Sequence, residues 1–231
     1  SFEISKMCFY NTSQEISNKK HYYFIASIFI SIFISNILIK NDTWIFLIIP
    51  SVLFWLYVIF YLVNIKKIDR VKKFDIFYFL IFLLVVSSFY CALYTIYLHS
   101  NTALIFLISI VAIADTSAFF VGKKYGKKPF FNNISPNKTQ EGFIGSIIIC
   151  LFSAWGYCLF VNYDFNFTIK ILILTFFTVL ISAFGDLFIS LIKRRSGKKD
   201  TGNIFPGHGG ILDRVDGLLS AAPVFLIISY F

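Results

Sequence analysis

Two aspartates fall inside long apolar stretches, where an unpaired carboxylate is costly. Asp115 and Asp186 each stand shortly before a basic loop, and these loops begin at Gly122 and Lys193. A carboxylate within a membrane segment usually faces the bundle interior, a cation or a polar cavity. Both residues are therefore candidates for binding a metal or a nucleotide. A helix-packing hydrogen bond, or an ion pair with a loop lysine, would also explain them.

Polar side chains recur along one face of the segment around Asp186. Ser182, Asp186, Ser190 and Lys193 follow one another at intervals of four, four and three residues, which places them on one side of a helix. We expect this stripe to line a cavity through which a lipid substrate enters. The alternative is that the serines serve helix packing, as they commonly do in membranes.

The segment 193–217, KRRSGKKDTGNIFPGHGGILDRVDG, combines cations, glycines and carboxylates. Its basic residues alone are typical of a cytoplasmic loop or of a contact with anionic lipid. The glycines around His208 add a flexible backbone whose N–H groups can bind phosphate oxygens. We therefore expect a phosphate-binding loop here.

A carboxylate pair follows that loop at a spacing that suits a helix. Asp213 and Asp216 are three residues apart and Ser220 follows four residues later, so the three share a helical face. Mg²⁺ prefers hard oxygen ligands, commonly one or two carboxylates together with substrate phosphates. Arg214, which lies between the aspartates, is placed to bind a phosphate.

The segment 122–141 is a second candidate binding loop, and it ends in SPNKTQEG. Thr139 is a predicted helix N-cap, and Lys138 stands where it can reach a triphosphate. Glu141 opens the next apolar run. It is a candidate substrate-binding residue, although a glutamate at a membrane boundary needs no function beyond reaching water.

The composition indicates a membrane protein. Hydrophobic residues make up 58% of the chain and charged residues only 14%, and the mean hydropathy is +0.77. A soluble domain carries about 25% charged residues. The formal charge of +9 does not indicate nucleic-acid binding, because the basic residues form short blocks between apolar runs rather than one soluble face.

The apolar runs predict an all-α polytopic fold with about seven transmembrane helices. Alternating the connections places every basic residue except Lys40 and Lys170 on one side, which the positive-inside rule assigns to the cytoplasm. We therefore expect an inner-membrane protein whose site faces the cytoplasm. The predicted spans are 22–39, 44–65, 74–98, 102–121, 142–162, 168–192 and a shorter run at 218–231.

Glycine divides the chain into two regions. All 12 glycines lie after residue 121, and glycine is retained where backbone must turn tightly or approach a ligand. We predict a membrane scaffold over 1–121 and a catalytic region over 122–231, with cytoplasmic loops at 122–141 and 193–217. The chain begins with Ser1 rather than Met, so we expect a fragment or a processed form that lacks N-terminal sequence.

Three segments together resemble the CDP-diacylglycerol synthases, also called phosphatidate cytidylyltransferases. The resemblance covers roughly residues 111–228, and Phe119, Phe120 and Gly217 are minor departures from the family pattern. The segments are DTSAFFVGKKYG from Asp115, SPNKTQEG from Ser135, and SLIKR from Ser190 with KDTGNIFPGHGGILDRVD from Lys199 to Asp216.

The resemblance implies a homodimer that joins CTP to phosphatidic acid, using Mg²⁺ with K⁺ as a candidate second ion. It implies that Asp186 and Asp213 bind the metal. The catalytic group is then Asp186, Asp213, Lys193, Arg214 and Asp216, and the substrate-binding group is Asp115, Lys138, Thr139, Glu141, Arg194, Lys199, Asp200 and His208.

Two other functions remain compatible with the residues. A CTP-dependent polyprenol or lipid kinase would also need a basic loop and membrane carboxylates. An ion-coupled transporter would use Asp115 and Asp186 as ion sites. Transporters usually show a broken helix near the midplane, and the sequence shows no such break.

Overall fold

Seven helices and one short hairpin form the regular structure of the residues described. The structure is a computed structural model that describes residues 14–65, 76–195, 197, 201, 210 and 212–230, with the backbone alone for 14–25 and 76–78. Lys199, Asp200 and His208 lie outside these ranges. The helices are α1 Gln14–Lys40, α2 Ile45–Asn64, α3 Ile76–His99, α4 Asn101–Tyr125, α5 Gln140–Val161, α6 Phe165–Arg195 and α7 Leu212–Tyr230.

Five of these helices, α2 to α6, are long and apolar enough to cross a membrane, and α1 contains a shorter apolar stretch at Ala26–Lys40. Their outer faces carry large exposed side chains such as Phe46, Phe60 and Phe160, which lipid accommodates and water would not. The prediction of an all-α polytopic membrane protein is confirmed.

The last helix differs from its prediction. The apolar run 218–231 suggested a short span, but α7 begins at Leu212 and includes both aspartates of the DRVD motif. Its residues Gly217 and 219–226 are buried, and it packs against α3 and α6. Because the other helices surround α7, it needs fewer strongly apolar residues than a helix that faces lipid.

The predicted loop 122–141 contains a hairpin, which is the one addition to the all-α prediction within the described ranges. Strand β1, Pro129–Phe131, pairs antiparallel with β2, Ser135–Thr139. Phe130 stacks on Phe143 of α5 with ring centroids 4.6 Å apart, and both Phe130 and Phe131 contact Phe184 of α6. These aromatic contacts attach the hairpin to the helices beneath it.

Helices α6 and α7 approach each other through small residues. Gly185 lies against Ser220, and Gly217 lies against Ser182. The Ser220 hydroxyl donates across the interface to the Ile181 carbonyl at 3.0 Å. Ser182 is buried at 1% exposure. The expectation that Ser182 lines an open lipid cavity is therefore wrong, and its small side chain instead permits close helix packing.

Helix α2 of the N-terminal region packs against α6. Trp55 of α2 contacts Phe188 of α6 with ring centroids 5.7 Å apart, and Arg195 at the end of α6 donates to the Tyr61 hydroxyl of α2. Helices α2 and α3 are joined by a 2.7 Å hydrogen bond between the buried Ser51 and Ser88 hydroxyls. The scaffold region therefore fixes the helix that carries Asp186.

The close packing of α6 on α7 predicts a large effect of Gly185→Ala. The new methyl group would overlap the Ser220 hydroxyl and lie 2.7 Å from the Ser220 Cβ. We expect the free energy of unfolding to fall by about 1–3 kcal/mol. This would be measured as a lower unfolding temperature in detergent. Gly156→Ala is the matched control, because nothing lies within 4 Å of that position. Equal unfolding temperatures for the two variants would contradict the close packing.

Candidate active site

Lys138 of the hairpin forms an ion pair with Asp186 of α6. The Lys138 ammonium contacts Asp186 Oδ2, and the Ser190 hydroxyl donates to Asp186 Oδ1 at 3.4 Å. Both side chains of the ion pair are partly buried. The structure thus brings together a residue of the candidate loop 122–141 and an aspartate of a predicted span, 48 positions apart in the sequence. The ion pair with a loop lysine, one of the two simple explanations for a membrane aspartate, applies to Asp186.

Two further carboxylates lie within electrostatic range of this ion pair. Asp115 of α4 and Asp216 of α7 each interact electrostatically with both Asp186 and Lys138. Asp216 Oδ1 accepts from the Gly217 amide at 2.8 Å. Three helices therefore contribute carboxylates within electrostatic range of one lysine. Carboxylates within electrostatic range of one another repel, so this arrangement favours an added cation. We name Asp115, Asp186, Asp216 and Lys138 the carboxylate cluster.

Carboxylate oxygens are the ligands that Mg²⁺ prefers, and the Lys138 ammonium already holds a cationic position at Asp186. The chemistry of the carboxylate cluster therefore fits a divalent cation. Among the residues that the structure describes, no three or more His, Cys, Asp or Glu side chains form a group that could hold a metal ion. A metal would have to compete with Lys138 for Asp186.

Asp213, the other predicted metal ligand, is surrounded by donors from the protein itself. Its Oδ1 accepts from the Lys193 ammonium at 2.8 Å. Its Oδ2 accepts from the Thr201 amide at 2.9 Å, the Thr201 hydroxyl at 2.8 Å and the Gly210 amide at 2.9 Å. Asp213 thus ties the segment before α7 to the end of α6. A metal ligated here would have to displace these donors.

These donors also affect the ionisation of Asp213, which lies in the first turn of α7, outside the five candidate spans. Burial opposes ionisation, but Lys193 and the Gly210 and Thr201 donors outweigh it and lower the pKa of Asp213 below its usual 3.8. The stabilisation by ionised Asp213 is therefore present above pH 3.8 and is lost as the pH falls through the lowered pKa.

The predicted phosphate-binding cations have different surroundings. Arg194 donates from Nε to the Ile134 carbonyl in the hairpin turn at 3.3 Å, and its side chain is exposed. Arg214 is also exposed, in the first turn of α7. Lys193 is held by Asp213. The two arginines are therefore more accessible to a substrate phosphate than Lys193 is.

Thr139 and Glu141 are both engaged within the protein. The Thr139 hydroxyl accepts from the Gly142 amide at 3.1 Å, which confirms its prediction as the N-cap of α5. The Glu141 carboxylate accepts from the backbone amides of Lys127 and Lys128 at 3.1–3.3 Å. Their predicted contact with substrate stays a prediction.

Some residues that shape this region did not stand out in the sequence. Thr201 and Gly210 matter through backbone amides, and Ile134 matters through its carbonyl, so side-chain chemistry could not reveal them. Gly122 and Gly126 carried a usable signal, because their spacing of four residues is typical of close helix contacts.

Loss of the Asp213 charge should loosen the segment that it holds. We expect Asp213→Asn to raise the hydrogen-exchange rates of the Thr201 and Gly210 amides by about tenfold or more, since charge-assisted hydrogen bonds contribute about 1.5–3 kcal/mol each. Mass-spectrometric exchange at pH 7 measures this. Asp216→Asn is the matched control, because its carboxylate bonds to neither amide. Unchanged exchange at both amides in Asp213→Asn would contradict the anchoring role.

The chain is similar to known enzymes along much of its length. The cytidylyltransferase family profile matches residues 4–231. The phosphatidate cytidylyltransferase of Haemophilus influenzae is 40% identical over 137 residues, which cover 58% of this chain and 47% of that protein. The enzymes of the same name from Bacillus subtilis and Aquifex aeolicus are each 39% identical, covering 58% and 61% of this chain and 49% and 54% of theirs.

The chain spans about half the length of the curated relatives that it matches. The family profile, by contrast, extends over nearly all of its residues, including both predicted loops and the carboxylate cluster. The chain therefore belongs to the cytidylyltransferase family.

Proposed function

We propose that this protein transfers the cytidylyl group of CTP to phosphatidic acid, giving CDP-diacylglycerol and pyrophosphate. The observation that carries this proposal is the carboxylate cluster together with exposed Arg194 and Arg214, which lie on the same helices as Asp186 and Asp216. The set combines candidate cation-binding and phosphate-binding side chains. The relatives named phosphatidate cytidylyltransferase supply the substrate class.

The proposed reaction is a substitution at phosphorus. An ionised phosphate oxygen of phosphatidate forms a bond to the α-phosphorus of CTP, and the bond from that phosphorus to the oxygen bridging to the β-phosphate breaks. Pyrophosphate leaves with the electron pair of that bond. The nucleophile is already ionised at neutral pH, so a general base adds little. The protein must instead align two anions and offset their repulsion.

The side chains divide these tasks by charge. Arg194 and Arg214 bind phosphate oxygens, and Lys138, which stays beside Asp186, offsets the charge of an entering phosphate. Asp186 would hold Mg²⁺, which would supply further neutralisation of the phosphates. Asp216 is a better second ligand than Asp213, because Lys193, Thr201 and Gly210 already occupy both Asp213 oxygens. K⁺ as a second ion rests on the family resemblance alone.

The proposed setting is the inner membrane, with the site open to the cytoplasm. The basic end of α4 at Lys123 and Lys124, and that of α6 at Lys193, lie on the same side as the hairpin. The positive-inside rule assigns that side to the cytoplasm. CTP would arrive from the cytosol and phosphatidate laterally from the inner leaflet. A homodimer is part of the proposal on the same family resemblance.

The first test replaces Asp186 by Asn, which keeps the size of the side chain but removes its charge. We expect lipid-linked cytidine formation from labelled CTP, phosphatidate and Mg²⁺ to fall by about a hundredfold or more. Asp42→Asn is the matched control, because Asp42 lies in the link between α1 and α2 with φ of 54°, a conformation that Asn also adopts.

Normal turnover by Asp186→Asn would contradict the proposed site. The released nucleotide product decides between the candidate reactions in the wild-type protein. Pyrophosphate release with cytidine in the lipid product supports the synthase, whereas CDP release with a phosphorylated lipid would identify a CTP-dependent lipid kinase.

The second test concerns orientation. In a variant without native cysteines, single cysteines at positions 124 and 137 should react with a membrane-impermeant maleimide only from the cytoplasmic side. Cysteines at 41 and 164 should react only from the opposite side, because they lie in the α1–α2 and α5–α6 links. Reaction of position 137 from the outer side would place the carboxylate cluster on the wrong face for cytosolic CTP.

A further inference from the structure

The Glu141 carboxylate holds together the end of α4 and the start of α5. It accepts from the Lys127 amide at 3.1 Å and from the Lys128 amide at 3.2 Å. The Gln140 amide donates to the Lys128 carbonyl at 2.9 Å, which joins the same two segments by a second contact. The carboxylate therefore acts on the backbone at the base of the hairpin.

Thr139 fits into a space that three glycines leave open. A methyl group at Gly126 would lie 2.6 Å from the Thr139 Cγ2, and one at Gly122 or Gly142 would lie 2.9 or 3.0 Å from its Oγ1. All three distances are too short for ordinary contact, so side chains at these positions would displace Thr139. Since Thr139 also caps α5, its position fixes the junction between strand and helix.

Lys138 lies in β2, directly before Thr139. A lysine side chain loses about 2 kcal/mol of conformational freedom when it is fixed, so the ammonium stays at Asp186 only if its backbone is held in place. The far end of the hairpin is held separately, by the hydrogen bond from Arg194 to Ile134. Thr139 and Glu141 hold the near end.

We propose that Thr139 and Glu141 are positioning residues that hold the Lys138 ammonium at the Asp186 carboxylate, and that neither contacts the nucleotide. The proposal rests on the proposed cytidylyl transfer for its kinetic consequences. It replaces the sequence expectation of substrate binding with an action through Lys138. The proposal also requires that Glu141 act through its hydrogen-bond acceptor oxygens rather than through its negative charge.

A double-mutant cycle tests the action through Lys138. Glu141→Ala should lower kcat/KM for CTP by about tenfold to a hundredfold, as expected for the loss of its hydrogen bonds to two backbone amides. In a Lys138→Met background the same change should cost no more than about twofold, because the two residues act in one unit. Independent, multiplying losses would overturn the proposal, since Glu141 would then act on substrate without Lys138.

A conservative variant distinguishes the role of Glu141 as a hydrogen-bond acceptor from a role of its negative charge. Glu141→Gln keeps one carbonyl oxygen that can accept from the Lys127 and Lys128 amides, so it should recover most of the activity lost in Glu141→Ala. A glutamate that bound substrate or metal through its charge would lose as much with Gln as with Ala. Thr139→Ser, which keeps the capping hydroxyl, should likewise exceed Thr139→Val. Equal activity within either pair would contradict the positioning role.

Hydrogen exchange gives a readout that does not depend on activity. Glu141→Ala should raise amide exchange across residues 127–139, whereas Lys138→Met should leave the Lys127 and Lys128 amides protected. Asn137→Ala, an exposed position on the same strand, is the control and should change neither exchange nor turnover. Unchanged exchange in Glu141→Ala would overturn the proposal. If the variants show this exchange pattern but the wild-type protein transfers no cytidylyl group, only the proposed function is refuted.

Discussion

The fold depends on the cost of placing carboxylates within a membrane protein without a cation nearby. Asp115, Asp186 and Asp216 come from three different helices, and the described residue paired with them is Lys138. Because Lys138 lies on the hairpin, the hairpin must reach across to α6, and the aromatic contacts of Phe130 hold it there. The need to balance charge thus determines where the only strands of the described chain dock.

The uneven distribution of glycine follows from the same requirement. Helices α6 and α7 approach closely at Gly185 and Gly217, which keeps Asp186 and Asp216 within electrostatic range of each other. Helices α4 and α5 meet at Gly122 and Gly142, beside the strand that carries Lys138. Helices α1 to α3 carry none of these carboxylates, and α2 packs on its neighbours through larger side chains such as Trp55, so these helices can do without glycine.

Hydropathy and charge were enough to predict the helices, because lipid imposes one simple rule on every exposed face. The bounds of α2 to α6 lie within a few residues of the predicted spans. The rule fails for α7, whose partners are protein rather than lipid, and for Ser182, whose burial depends on Gly217 of another helix. The sequence allowed Asp186 an ion pair with a loop lysine, but it could not identify Lys138 as the partner, since that depends on how the hairpin docks.

The DRVD motif illustrates why equal spacing does not give equal chemistry. Asp213 and Asp216 share a helical face, yet Asp213 meets Lys193 and the Thr201 and Gly210 amides, while Asp216 faces Asp186 and Lys138. A carboxylate whose oxygens are already bonded stabilises the segment that supplies the donors. A carboxylate beside two others gains most from an added cation. Position along α7 therefore separates an anchoring aspartate from the one that we propose as a metal ligand.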